Sequence, residues 1–369
     1  MHSTTLLYAL SLIPGIGSKT LRDMVAHLGS AEAAWAADEK TLLAINGLGP
    51  KTVGALIAGR RSIDPDKEWE KIASQGIDIL AFTDERYPHL LKEIPDAPAL
   101  LYVRGNYDWQ GKQRAKPLIA IVGSRRFTSY GEQAAHRFAT DLASAGYIVV
   151  SGLAFGIDSI AHKAALEAGS ETLAVLGSGV DDACITPQSH LPLGRAVMKA
   201  GALLSEYPPG TAATEGTFPA RNRIMAGMSL GTLVIEAAER SGTLITARLA
   251  LDYNREVFAV PGPIFSPSSL GANALIKAGA KIVTSVQDIL EEFPLKTNHT
   301  QVRHAIPEDN ISLSPEEQKI LRILSHEPVH VDKIVKAATL GTSSASAALS
   351  LLEIKGLVKN IGGMNYIRT

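Results

Sequence analysis

Two arginines flank an asparagine in the run Phe218-Pro-Ala-Arg221-Asn222-Arg223, and a small-residue turn, Ser241-Gly-Thr-Leu-Ile-Thr246, follows downstream. A guanidinium presents a planar fork of donors that matches phosphate oxygens. Small residues let backbone N–H groups approach the same anion. Two earlier stretches have the same character. Gly123-Ser124-Arg125-Arg126 combines a glycine turn with cations, and Ser151-Gly152-Leu-Ala-Phe155-Gly156-Ile-Asp158 allows a tight turn with close backbone approach. The chemistry these residues suit is the binding of a phosphate or a phosphate backbone.

Other reactive types are poorly placed for catalysis. Cys184 is the single cysteine and has no evident basic or metal partner in the sequence, so it reads as a small packed residue. Asp158 reads as a cap or dipole partner at a helix start, and His162, four residues on, is spaced to pair with it. No metal-ligand spacing occurs, and neither a metal nor a cofactor is expected.

The elements that must carry these stretches are regular from residue 118 onward. Short apolar runs at Leu118–Val122, Tyr147–Ser151, Thr172–Leu176, Ala202–Ser205, Thr232–Ile235, Glu256–Val260 and Lys281–Thr284 read as strands covered on both faces. Helical patterns lie between them, among them Gly131–Ser144, Ile157–Ala168, Thr243–Tyr253 and Ala272–Ala278. Strand and helix in alternation imply right-handed crossovers and a doubly wound α/β sheet, Rossmann-like in class. In such a sheet ligands sit beyond the carboxyl ends of the strands, where all four stretches fall. The arginines of the third stretch are expected on a loop that enters a helix. Phe155 and Phe218 are the aromatics near these loops, and core packing is the simpler role for both. Upstream, Ile77–Phe82 is a further strand, while Tyr87–Leu101, with Pro88, Pro95 and Pro98, reads as extended or turning.

The flanks differ in kind. Residues 1–65 hold two similar hairpins, Ile13-Pro-Gly-Ile-Gly-Ser-Lys-Thr20 and Ile45-Asn-Gly-Leu-Gly-Pro-Lys-Thr52, each between helical patterns. This resembles a tandem helix-hairpin-helix (SAM-like) unit, a class whose turn N–H groups approach DNA phosphates. Packing on the core or on a partner is the alternative. Ser18 and Pro50 precede the lysines where a nucleotide P-loop needs glycine, so that reading fails. Residues 295–312 are polar and aperiodic and read as a linker. In 313–369, Ser314, Pro315 and Glu317 signal a helix start. Helices at Glu316–Ser325, Val331–Thr339 and Ser343–Lys355 and a hairpin turning at Gly362-Gly363 resemble a winged helix. Its third helix has few of the side chains that read duplex DNA, which favours a protein-interaction or intramolecular role. The domain expectation is therefore 1–65 helical, 66–294 α/β core, 295–312 linker and 313–369 winged helix.

Composition sets outer limits. The chain has 369 residues, with 46% hydrophobic and 20% charged, enough to bury a sizeable core. A formal net charge of −1 means that any DNA site is a local patch. A lone cysteine, no bilayer-length apolar run and no signal-peptide pattern at the N-terminus lead to the expectation of a soluble, cytoplasmic protein without membrane contact.

Several motifs fall in one order: Gly123-Ser-Arg125, Ser151-Gly-x-x-x-Gly-Ile-Asp158, Phe218-Pro-x-Arg-Asn-Arg223, Ser241-Gly-Thr-x-x-Thr-Ala247, Pro261-Gly262 and Gly271-x-Asn-x-Leu-Ile-x-x-Gly279-Ala280. The ordered set resembles the DprA/Smf family of bacterial DNA-processing proteins across residues 70–295. The flanks agree, since some members carry a helical hairpin domain and a winged helix. Where that family has Tyr-Pro after the third strand, this chain has Thr186-Pro187, so no stacking role is carried onto that loop. The resemblance implies a non-enzymatic binder of single-stranded DNA that loads RecA in natural transformation and forms a homodimer through the Rossmann-like domain. It implies a DNA pocket at Gly123, Ser124, Arg125, Ser151, Gly152, Gly156, Arg221, Asn222 and Arg223, with Lys163, Ser241 and Thr246 as further candidates. The alternative is a Rossmann-like nucleotide hydrolase of phosphoribohydrolase type acting on nucleoside monophosphates, with Glu236 and Asp158 as acid–base groups. A third reading is an adaptor whose partners handle the DNA.

Overall fold

The computed structural model describes residues 3–110, 116–294, 313–325 and 327–368. The described chain falls into two compact units, one ending at Phe293 and one beginning at Pro294. The segment read as a linker, 295–312, lies outside the described residues.

The first unit is built on a nine-stranded sheet. Its strands are β1 (Asp78–Ala81), β2 (Leu100–Gly105), β3 (Leu118–Val122), β4 (Ile148–Ser151), β5 (Thr172–Val175), β6 (Ala202–Ser205), β7 (Gly231–Val234), β8 (Glu256–Ala259) and β9 (Lys281–Ile282). Their spatial order is β1-β2-β6-β5-β4-β3-β7-β8-β9. From β6 to β9 every pairing is parallel, while β2 pairs antiparallel with both β6 and β1. Strands β3 to β7 are almost wholly buried, as their unbroken runs of Ile, Leu, Val and Ala require when helices cover both faces. The doubly wound reading therefore holds, with an antiparallel edge added.

That edge departs from expectation. The segment Tyr87–Leu101 contains the short helix His89–Glu93 and then enters β2. The three prolines end before Ala99, and the apolar run Ala99-Leu-Leu-Tyr-Val103 behind them is free to pair. On one side of β1 and β2, Ile79, Ala81, Leu100 and Tyr102 share a core with Leu7, Leu10, Met24 and Leu56 of the N-terminal helices. Tyr8 stands edge-on to both Trp69 and Tyr102, and Arg22 donates to the carbonyls of Pro95 (2.8 Å) and Ala97 (3.1 Å).

The two N-terminal hairpins have the same build. Gly15 and Gly47 take φ of +87° and +91°, which only glycine adopts freely, and Gly17 and Gly49 cap the helices Ser18–Leu28 and Pro50–Ser62. In the second unit, helices Pro315–Ile323, Val331–Ala338 and Thr342–Ile354 pack with β10 (Val329–His330), β11 (Val358–Asn360) and β12 (Asn365–Arg368) as a winged helix. The Ser314–Glu317 capping box is present as the sequence predicts, and the buried Glu317 carboxylate is paired with Lys355 at 2.7 Å. Among the described residues, no helix is long and apolar enough to cross a membrane.

His162 packs beside the interior strand β5 and is fully buried. Its Nδ1 bonds Thr172 Oγ1 at 2.7 Å rather than Asp158, which corrects the pairing expected from their spacing. Asp158 lies on the first turn of the same helix, Ile157–Glu167, and is engaged with the β4 loop. Burial, helped by the nearby positive Arg221, pushes the His162 imidazole down to about 3 from 6.5. The unfolded chain then binds a proton that the folded chain refuses, so stability is complete above pH 6.5 and falls as pH drops toward 3. We expect wild type to lose up to about 1.4 kcal/mol per pH unit from this group between roughly pH 6 and 4. His162→Leu should flatten the pH slope by close to one proton; denaturant titrations at stepped pH read this directly, and an unchanged slope would reject it.

Candidate nucleic-acid interface

Strand order reverses between β3 and β7, which are neighbours in the sheet, and a cavity of about 880 Å³ opens above their carboxyl ends. That is where an open α/β sheet binds its ligand. Its walls come from the loops after β3, β4 and β7 and from the helix Thr217–Met228.

The β3 loop contributes Gly123, Ser124, Arg125 and Arg126. Ser124 Oγ accepts from the Arg126 N–H and donates back to its carbonyl, which folds the loop tightly on itself. Both arginines are exposed. The Arg125 guanidinium lies 5.3 Å from the centroid of the Phe218 ring, a cation–π stack that holds its charge over the cavity. Phe218 is half-buried and lines the cavity rather than the core, contrary to its expected role.

The β4 loop acts as the scaffold. Gly156 takes φ of +82°, and a methyl there would lie 2.2 Å from the Ser124 carbonyl oxygen. A methyl on Gly152 would lie 1.9 Å from Arg221 Nη1. Gly156 therefore needs glycine, a side chain at Gly152 would have to displace the Arg221 guanidinium, and neither glycine offers a side chain to a ligand. Ser151 is buried and donates to the Ile121 carbonyl at 2.6 Å, joining β4 to β3.

Arg221, Asn222 and Arg223 lie inside the helix Thr217–Met228, not on a loop before it. Pro219 is tolerated because the first turn has no N–H partner to lose. Consecutive helical residues point about 100° apart, and the three side chains diverge accordingly. Asn222 lines the cavity and is half-buried. Arg221 forms the cavity floor at 3% exposure, donating to the Val175 carbonyl and facing Asp158. Burial pushes its guanidinium down to about 10 against the pull of Asp158, so it stays charged at neutral pH. Burial in turn pushes the Asp158 carboxyl up, opposed by Arg221; Asp158 Oδ2 accepts from the Gly152 N–H at 3.1 Å. Arg223 turns away from the cavity, bonds the carboxylate of Glu206, and has Asp96 Oδ2 3.8 Å from its Nε.

On the far side, Ser241, Gly242, Thr243 and Thr246 close the wall. Thr243 Oγ1 donates to the Gly123 carbonyl at 3.0 Å, and Thr246 is buried. Glu236 sits behind this wall at 1% exposure. Its carboxylate accepts from the Thr128 hydroxyl (2.6 Å), the Thr128 N–H (3.0 Å) and the Ser268 hydroxyl (3.1 Å). It ties three loops together and does not line the cavity. Lys163 is exposed on the helix Ile157–Glu167 and also lies outside the lining.

The structure thus brings Gly123, Ser124, Arg125, Arg221, Asn222, Ser241 and Thr246 around one cavity. It sets Ser151, Gly152 and Gly156 beneath or behind it, and Lys163 and Arg223 outside it. Three helices start at the cavity, at Ile157, Thr217 and Thr243, and their caps Gly156, Gly216 and Gly242 make no side-chain cap bond. The N–H groups of Ile157, Thr217 and Thr243 are already bonded, to the Ser124 carbonyl, the Thr214 carbonyl and Ser241 Oγ, so it is the positive dipole ends of these helices that add to the two exposed arginines. Sequence reasoning missed Glu215, an exposed carboxylate on the lining. Its place one residue before the cap Gly216 becomes visible only once the helix start is fixed. Among the described residues, no cluster of three or more His, Cys, Asp or Glu side chains could hold a metal.

Residues 78–294 match the family model for DNA recombination-mediator protein A, residues 305–364 that of the DprA winged helix domain, and residues 8–62 that of a SAM-like helix-hairpin-helix tandem. Protein Smf of Synechocystis sp. is 34% identical, with 98% of this chain and 97% of that protein aligned. DNA processing protein DprA of Bacillus subtilis is 42% identical over 60% of this chain and 72% of its own length. The structure of DNA processing protein A from Streptococcus pneumoniae superposes with a TM-score of 0.69 at 34% identity, covering 79% of this chain and 99% of that one. DNA processing protein A from Helicobacter pylori, whose structure addresses its single-stranded DNA binding mode, gives a TM-score of 0.52 at 28% identity, covering 58% of this chain and 94% of that one.

Proposed function

The chain belongs to the DNA recombination-mediator protein A family, and from that membership we propose that its cavity binds single-stranded DNA, which the protein hands to RecA during natural transformation as a homodimer. The family makes it a DNA-processing recombination mediator. The finer reading is supported by one observation above others. At the switch point of the sheet, exposed Arg125 is stacked over Phe218, above the buried charge of Arg221 and near the positive ends of three helices. An anion fits there, and a single strand brings phosphates with bases free to stack. Duplex DNA carries its phosphates on a rigid cylinder too wide to enter a cavity of 880 Å³. The single-strand binding named for the Helicobacter pylori relative is consistent with this reading.

The hydrolase alternative gains nothing from the geometry. Glu236 is spent on Thr128 and Ser268 and does not line the cavity; Asp158 lines it but is buried, with Oδ2 accepting from the Gly152 N–H and Arg221 as its countercharge. A general acid or base must instead reach the reacting group.

Glu215 provides a test that improves binding rather than damaging it. A carboxylate on the lining repels each phosphate that enters. Glu215→Lys should therefore tighten oligo-dT binding about 5- to 10-fold at low salt. It should also steepen the salt dependence by about 0.7 in log–log slope if one phosphate is gained. Weaker or unchanged binding, measured by fluorescence anisotropy with a duplex control, would place the strand elsewhere.

A further inference from the structure

We propose that Phe155 and Phe265 are base-stacking platforms on opposite sides of the cavity, so that the bound strand crosses the carboxyl edge of the sheet from the β4 loop to the β8 loop. This rests on the reading of the cavity as a single-strand site and adds the path the strand takes through it.

Phe155 is not a core residue, as its sequence context suggests; it is 53% exposed. Its loop is held in a demanding shape. Leu153 takes φ of +58° although it is not glycine, and Gly156 takes +82°. His190 Nδ1 bonds the Leu153 carbonyl at 2.9 Å, and the His190 ring meets the Phe155 ring edge-on at 4.9 Å. The loop therefore fixes the ring outward, next to Ala154 and Asp158 of the cavity lining. Backbone of this kind persists where its surroundings over-determine it, and such places cluster at ligand sites.

Phe265 is 92% exposed and Ile264 beside it 71%. Their loop, residues 260–269, is stiffened by Pro261, Pro263 and Pro267. The Tyr130 hydroxyl donates to the Pro261 carbonyl at 2.7 Å, and the Asn273 side chain bonds Gly262 in both directions. The Ser268 hydroxyl donates to Glu236, and Pro267 and Ser268 line the cavity. A loop tied this firmly spends little backbone ordering entropy in presenting an aromatic to a ligand.

Sheet order places the two rings. The strands run β4-β3-β7-β8, so the loops bearing Phe155, Arg125, Ser241 and Phe265 stand in that sequence along one edge. Three inter-strand steps separate the ends of β4 and β8 by about 14 Å. Phe155 on one side and the Ile264–Phe265 pair on the other, divided by a polar, cationic cavity, do not join into the single contiguous apolar patch that a protein partner needs. They match a ligand whose apolar faces alternate with charge, which is a strand of unpaired nucleotides.

The test uses the intact protein with labelled dT20 and with an abasic backbone of the same length. Phe155→Ala and Phe265→Ala should each weaken dT20 binding about 5- to 100-fold and leave abasic binding within about twofold, since only stacking is removed. Phe155→Leu, which keeps apolar contact with His190 but has no π face, should lose most of the same affinity. Equal losses on both ligands, or no loss on dT20 by variants of a protein that binds it, would overturn the two platforms while leaving the single-strand site standing. Failure of the wild type to bind dT20 at all would instead remove the functional reading, and this path with it.

Discussion

Arg221→Ala is expected to cost about 3–5 kcal/mol of unfolding free energy, the largest loss among the three arginines of the site stretches. The side chain is 3% exposed, donates to the Val175 carbonyl and faces the buried Asp158. Removing it leaves a carboxylate in the interior without its countercharge and opens a cavity behind Gly152, which packs on the guanidinium. Lysine is not a substitute, because a point charge on a flexible stem cannot both bond Val175 and face Asp158. The double change Arg221→Ala with Asp158→Asn should recover part of the loss, because the stranded charge is then gone. Denaturant unfolding of the single and double variants measures this. Equal stability of Arg221→Ala and wild type would mean that the pair is not what holds the cavity floor.

Arg125→Ala should behave in the opposite way. The side chain is exposed and its neighbour is the Phe218 ring, so stability should move by less than about 0.5 kcal/mol. Single-strand affinity should fall about 10- to 100-fold, the size of a lost charge-assisted contact to phosphate. The salt slope should drop by about 0.7 as one fewer counterion is released. Arg223 completes the contrast. It is paired with Glu206 and points away from the cavity, so Arg223→Ala should cost stability and spare binding.

These three roles were not separable in the sequence. The spacing of the arginines was visible, and so was the phosphate chemistry their loops share. A loop before the helix would have allowed Arg221 and Arg223 the same partner. The helix begins at Thr217, earlier than the proline at 219 suggests, and its turn sends the two side chains apart. The sheet was more legible. Apolar runs of four or five residues at β3 to β8 announce strands buried on both faces, and their boundaries shift by at most a residue. Strand β2 was hidden because three prolines stand before it and draw attention to turning backbone. His162 and Asp158 show the same limit from another side. Four-residue spacing put them on one helical face, but a buried hydroxyl on β5 competes for the histidine and the β4 loop claims the aspartate. Close approach at 152 and 156 could be suspected from the motif. That Arg221 and the Ser124 carbonyl are what fill the space required the fold.

The exposed rings of Phe155 and Phe265 follow the same logic. Neither has a periodic signal, since each stands on a loop, and exposure of a loop aromatic depends on how its loop is tied down.

The central claim is that the switch-point cavity, not either flanking segment, holds the single strand. Anisotropy of labelled oligo-dT with the intact protein, titrated with salt for wild type, Arg125→Ala and Arg223→Ala, tests it most directly. We predict tight, salt-sensitive binding by wild type, a 10- to 100-fold loss with a shallower salt slope for Arg125→Ala, and near wild-type affinity for folded Arg223→Ala. Wild-type affinity and an unchanged slope in Arg125→Ala would contradict the claim and move the site to the helix-hairpin-helix or winged-helix segment.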